Sequence, residues 1–149
     1  MNRRFVLALC FAVAACGNQA ESREDLLVGE WSCLVTLPDQ VNRIEMDYAP
    51  DGRRSALLDR EFTRAGSRGT LSARTTGTWA IEGDELIETI DDAIILSAIE
   101  NGVPIENPAM IDYLQSSLAG HRSKAQIINL DENSMRLGTT TATAECTRT

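Results

Sequence analysis

Apolar and polar positions alternate over most of this chain, the period of a strand with one buried face. Trp31, Cys33, Val35 and Leu37 share one face, and Pro38-Asp39 ends that run. Ile44, Met46 and Tyr48 alternate again, up to Ala49-Pro50-Asp51-Gly52, where proline presets φ and glycine is free to turn. The pattern predicts a strand over about 55–62, a turn at Gly66-Ser67-Arg68-Gly69, and a long strand whose Leu71, Ala73, Thr75, Gly77, Trp79 and Ile81 have one parity. That strand can bend at Gly77, where no side chain resists a bulge. Glu82-Gly83-Asp84 reads as a hairpin turn, and Leu86 and Ile90 resume the alternation. Ala93 to Ile99 is continuously apolar: its isoleucines favour a buried strand, while Asp91 or Asp92 could cap a short helix. Strands over 123–130 and 135–148, joined through Asp131-Glu132-Asn133-Ser134, complete the set.

One segment has a different period. Asn107 suits an N-cap, Pro108 the first helical position and Gly120 the residue past the end, with Met110, Tyr113, Leu114, Ser117 and Leu118 at helical spacing between them. This predicts one amphipathic helix near 107–119, whose stripe must cover an open end or a flank of the sheet. The fold class expected is mainly β, with about eight short antiparallel strands in an up-and-down barrel or a sandwich.

The chain starts with something else. Met1-Asn2-Arg3-Arg4 leads into eleven apolar residues, Phe5 to Ala15, too few for the roughly 20 that span a bilayer, so residues 1–15 read as a signal peptide. Val13-Ala14-Ala15-Cys16 resembles the lipobox of bacterial lipoproteins. The resemblance implies diacylation of the Cys16 sulfur, cleavage before Cys16, acylation of the new amine and attachment to the cell envelope through lipid. If the host is Gram-negative, Gly17 rather than aspartate at the next position further implies the outer membrane, facing the periplasm. The rival reading is a plain secretory peptide cut among the alanines. Residues 16–25 are then a lipidated N-terminus and polar tether, and 26–149 the folded domain.

Processing changes the composition. The full chain has 149 residues, 14 basic and 22 acidic, a net charge of -8. Losing residues 1–15 removes two arginines and no acid, leaving 134 residues with 12 basic against 22 acidic, or -10. Such a charge disfavours nucleic acid as a partner. Of four cysteines, Cys10 leaves with the signal and Cys16 carries lipid. Cys33 and Cys146 remain, and in an oxidising compartment two leftover cysteines pair, here stapling the first strand to the last. Metal or redox chemistry is the alternative, but there is no Cys-x-x-Cys and the single histidine, His121, is remote in sequence.

Gly29-Glu30-Trp31 at the mouth of the first strand is similar to the Gly-x-Trp signature of lipocalins and their lipocalin-like relatives. A second copy, Gly77-Thr78-Trp79, leads into a hairpin, and Arg148 lies in the last strand as lipocalins place an arginine over the tryptophan. The resemblance implies a calycin-type barrel over about 26–148, with Gly29, Trp31, Gly77, Trp79 and Arg148 at its closed end. The chain departs from the family in lacking Thr-Asp-Tyr and in placing its helix before the last two strands.

Catalytic residues are not evident: His121 has no serine and aspartate at a triad's spacing that could be argued from sequence. The acidic group Glu82, Asp84, Glu85, Glu88, Asp91 and Asp92 matches no oxygen-ligand loop, so no metal and no cofactor is expected. Arg53, Arg54, Arg60, Arg64, Arg68 and Arg74 form a basic stretch that suits phosphate or carboxylate, pairs with the acidic block, or blunts a strand edge. The function expected is non-enzymatic: a lipid-anchored barrel binding a small apolar or amphipathic molecule, with Ile44, Met46, Leu71, Thr139 and Thr141 lining its lumen. The alternative is a solid barrel that recognises or inhibits another envelope or incoming protein.

Overall fold

The computed structural model describes residues 21–64 and 66–149. The signal segment, Cys16 and the start of the tether lie outside the described residues. The elements in chain order are α1 (Arg23–Leu27), β1 (Gly29–Leu37), β2 (Gln40–Tyr48), β3 (Arg53–Arg64), β4 (Ser67–Glu82), β5 (Glu85–Glu100), β6 (Val103–Pro104), α2 (Pro108–Leu118), β7 (Arg122–Leu130), β8 (Ser134–Gly138) and β9 (Thr143–Arg148). Each of β1 to β5 pairs antiparallel with the next, β5 pairs with β7, and β7, β8, β9 and β1 close the circle. The result is an eight-stranded up-and-down ring, with the two-residue β6 folded back on the end of β5.

Alternation fails where the ladder is bulged. Between β4 and β5 the register shifts at Ser72/Ala73 and at Thr76/Gly77, so Leu96 and Asp91 have no partner across the ladder. Each extra residue flips the parity of the residues after it, which is why Ala93 to Ile99 looks featureless in sequence yet forms a strand. At the second shift β5 passes so close to β4 that a Cβ on Gly77 would sit 1.8 Å from the Thr89 carbonyl oxygen. The bend expected at Gly77 is therefore present, and only glycine fits it.

Two boundaries and one helix face differ from expectation. The tether ends early: Ser22 caps α1 in a reciprocal capping box with Asp25, and Leu27 is fully buried. The strand expected over 135–148 is two strands, because Thr139 Oγ1 accepts the backbone N–H groups of Thr141 and Ala142 and folds 139–142 into a turn. The helix stands at Pro108–Leu118 with Asn107 capping Ala109 and Met110, but its inner face is Ile111, Leu114, Gln115 and Leu118. Met110 and Tyr113 of the expected stripe lie on the solvent side, and α2 packs along β5, where Gln115 accepts the Ile95 N–H. There it covers the part of β5 beyond Thr89 that β7 does not pair. No described helix is long and apolar enough to cross a membrane.

Candidate functional site

The barrel has a filled end and an accessible one. The inward series at the α1 end includes Trp31, Cys33, Met46, Tyr48, Ala56, Trp79, Leu86, Met135 and Cys146, all buried and in mutual contact. Trp31 Nε1 donates to the Leu27 carbonyl at 2.8 Å, and the Arg148 guanidinium lies 4.3 Å from the Trp31 ring centre. Arg148 also donates to the carbonyls of Val28 (2.8 Å), Leu26 and Glu132. Trp31 and Arg148 thus satisfy the carbonyls at the end of α1, which a short helix otherwise leaves without partners. Gly29 makes this possible: its φ is +124°, and a Cβ there would lie 2.5 Å from Arg148 Nη1. Gly29, Trp31 and Arg148 form one closure of this end.

The second pair closes the other side of the same end. Trp79 meets Tyr48 edge to face at 5.9 Å and donates from Nε1 to the Ala49 carbonyl at 3.0 Å. Beneath them is a charged cluster that the sequence pattern did not reveal. Glu88 Oε1 accepts the Tyr48 hydroxyl at 3.1 Å and lies 2.9 Å from Arg54 Nε, off the line of that N–H. Burial, and after it the Glu88 charge, pushes the Tyr48 pKa well above the ordinary tyrosine value. The two charges are enclosed but opposite, which is how a barrel interior tolerates them.

Cys33 and Cys146 are joined by a disulfide at directly opposed positions in the β1–β9 ladder. The staple expected between first and last strands is therefore in place. Met46 packs on it, its sulfur 3.9 Å from Cys33 Sγ.

Above this floor the inward positions change character. Val35, Leu37, Ile44, Leu58, Arg60 and Phe62 belong to the same alternating series but keep partial exposure. A cleft of about 700 Å³ lies at this rim between the β1–β2 and β3–β4 turns: Leu37, Gln40, Phe62 and Gly69 contribute from the inward series, and Val41, Glu61, Thr63, Arg68, Thr70 and Ile99 line it from outward-facing positions. Phe62 packs over Gly69 across the β3–β4 hairpin, filling the space a side chain there would need. Asn42, 8% exposed, accepts from Gln40 Nε2 at 3.0 Å and from Arg60 Nε at 3.1 Å.

Of the residues expected to line a lumen, Ile44 stands half-buried in the accessible half, and Leu71 is inward but buried. Met46 belongs to the floor, covered by Tyr48 and the disulfide. Thr139 and Thr141 do not line the lumen: they sit in the exposed β8–β9 turn, beside a groove on the outer wall with Leu34 and Thr36. The basic stretch also divides. Arg54 and Arg60 face inward, while exposed Arg53 pairs with Asp51 and Arg64 and Arg68 stand by the β3–β4 turn. Arg54, Arg60, Asn42 and Phe62 were missed as interior residues, although Arg54 and Arg60 share the parity of Ala56 and Leu58.

No protein-family model and no curated protein matches this sequence. Among solved structures, a lipocalin-like protein from Bacteroides uniformis is similar at 14% identity and a TM-score of 0.44, covering 83% of this chain and 99% of its own. An uncharacterized protein from Bacteroides eggerthii is similar at 17% identity and a TM-score of 0.48, covering 82% and 98%. At these scores the likenesses carry no functional argument, and the barrel is established by its own closed ladder of strands.

Proposed function

We propose that this protein is a lipid-anchored envelope lipoprotein that acts by binding rather than by catalysis, holding one small apolar or amphipathic molecule in the open half of its barrel. The observation that carries the reading is the gradient along the inward series, buried from Trp31 to Met46 and accessible at Val35, Leu37, Ile44, Leu58 and Phe62. A solid interaction module has no need of accessible apolar side chains inside the ring, and two of these, Leu37 and Phe62, also line the cleft at the rim. The anchor rests on the lipobox resemblance around Cys16, and the outer membrane facing the periplasm is the location proposed with it.

Native mass spectrometry of the full chain, extracted from membranes in detergent, tests both parts. The expected mass is that of a chain beginning at acylated Cys16, and added 1-dodecanol is expected to bind one to one. Val35→Trp, which puts an indole into the open half, should abolish that uptake while leaving the thermal transition in place. No dodecanol adduct on the wild-type chain would overturn the binding reading. An unmodified Cys16 would overturn the anchor.

A further inference from the structure

One side of the barrel carries a group of exposed apolar side chains. Of the eight large apolar residues exposed among the described residues, five come from the single stretch 94–113: Ile94 and Leu96 on β5, Val103 on β6, and Met110 and Tyr113 on α2. The three elements are neighbours, since β6 folds back on the end of β5 and α2 packs along it. α2 turns Ile111, Leu114, Gln115 and Leu118 towards β5, yet no residue of the helix is buried, and Tyr113 is left 66% exposed. Exposed apolar residues scattered singly are ordinary, whereas several on adjoining elements mark a contact surface. The same side bears charge of one sign. From Thr75 to His121 there are nine acids and no lysine or arginine. Asp91, Asp92, Glu100, Glu106 and Asp112 are all exposed, and none has an ion-pair partner among the described residues, unlike Asp51, Glu61, Glu85 and Glu145 elsewhere on the surface. Cations stand only at its borders, Arg74 opposite Ile94 on β4 and Arg122 at the start of β7.

We infer that this β5–β6–α2 side is a docking surface for a basic amphipathic helix of a partner protein. The apolar stripe of that helix lies on Ile94, Leu96, Met110 and Tyr113, and its lysines or arginines meet Asp91, Asp92 and Asp112. Charge decides between the occupants an apolar face can take. A second copy of this chain would bring acid against acid, and an anionic lipid surface has the same sign, so both are repelled. A helix that is apolar on one face and basic beside it satisfies both features of the surface at once. Tyrosine and methionine suit such a contact, the first as a large rigid group with a polar tip, the second as a side chain that adapts to its neighbour. Each exposed ion pair adds at most about fivefold in affinity and is screened by salt, so the carboxylates act as a group and the apolar residues supply the anchor. None of the five apolar residues lines the cleft at the rim, so this surface is independent of the lumen reading and either can fail alone.

The test is fluorescence anisotropy of a labelled synthetic helix of leucine and lysine, about four turns long, titrated with the full chain in non-ionic detergent, with micelles alone as the baseline. A counterpart with glutamate in place of every lysine is the control. The lysine helix should bind the wild-type chain roughly tenfold or more tightly than the glutamate helix, and the preference should shrink as salt is raised. Met110→Ser with Tyr113→Ser should weaken binding of the lysine helix by roughly fivefold or more, and Asp91→Asn with Asp92→Asn and Asp112→Asn by roughly threefold or more. Leu34→Ser, an exposed apolar position on β1, should leave it unchanged. All these positions are exposed, so the thermal transition should stay in place. Equal binding of the two helices to the wild-type chain would overturn the inference, and needs no variant to fold. Patch variants without effect, or a loss as large in Leu34→Ser, would overturn it as well. A dimer of the wild-type chain in sedimentation that Met110→Ser with Tyr113→Ser dissociates would assign the face to a second copy and overturn it. A dansyl label at Tyr113→Cys shielded from iodide in phosphatidylglycerol vesicles would assign it to the bilayer, with the same consequence.

Discussion

Removing the Cys33–Cys146 disulfide tests the closure of the barrel most directly. The bond joins the middle of the five-pair ladder between β1 and β9, the strands that begin and end the ring. Its ends are 113 residues apart in sequence. On the chain-entropy model a loop of that length is worth roughly 4.8 kcal/mol at 25 °C, and residual structure in the unfolded chain reduces this, so Cys33→Ala with Cys146→Ala should cost about 3–4 kcal/mol. For a domain of this size that is a fall in Tm of roughly 10–15 °C. The assay is urea and thermal unfolding of the wild-type chain and the double variant, followed by the fluorescence of Trp31 and Trp79, which both sit in the filled end. The slope of free energy against urea should rise in the variant, because its unfolded chain is less compact. Both cysteines are buried, at 4% and 3% exposure, so a thiol reductant should open the bond of the native protein only as fast as the protein unfolds. A double variant within about 1 kcal/mol of the wild type would refute the reasoning, since the ladder alone would then close the ring.

Two other predictions concern the filled end. Arg148→Ala removes a cation over Trp31 and donors to three carbonyls, and should cost about 2 kcal/mol by urea unfolding; Arg148→Lys should recover less than half, because an ammonium cannot reach all three acceptors at once. Tyr48 has a pKa raised by burial, so its contribution is whole below pH about 10 and is lost as pH rises through the higher folded-state value. Tyr48 should ionise only with alkaline unfolding, as followed by ultraviolet absorbance. Tyr48→Phe should destabilise by about 1.5 kcal/mol at neutral pH, through the bond lost to Glu88, and flatten the alkaline limb.

Much of the architecture was legible where a signal was local. Alternation in Trp31 to Leu37 and Leu71 to Ile81, turn chemistry at Pro50-Asp51-Gly52, and the Asn107-Pro108 helix start each depend on a few adjacent residues, and each is in the structure. The cysteine count and Gly29-Glu30-Trp31 reached further, because a staple and a signature name distant positions. The misses have two causes, one tertiary and one local. The helix face was off by one position because Ile111 and Met110 are alike to a periodicity, and only β5 decides which is covered. Thr139 and Thr141 read as strand because threonine favours β structure, but a hydroxyl accepting two N–H groups makes a turn.

What the sequence determined by itself was the class of fold and the covalent staple between its ends, because these depend on periodicity, turn chemistry and the number and position of cysteines. Which inward residues are filler and which meet solvent was decided only by tertiary structure. Arg54 and Arg60 are the same residue type at the same parity on one strand, six positions apart. One meets Glu88 from another strand, and the other meets only Asn42. No feature of strand β3 distinguishes them: the charge that compensates a buried cation comes from wherever the ring places its neighbour, and that depends on closure, shear and two bulges between β4 and β5.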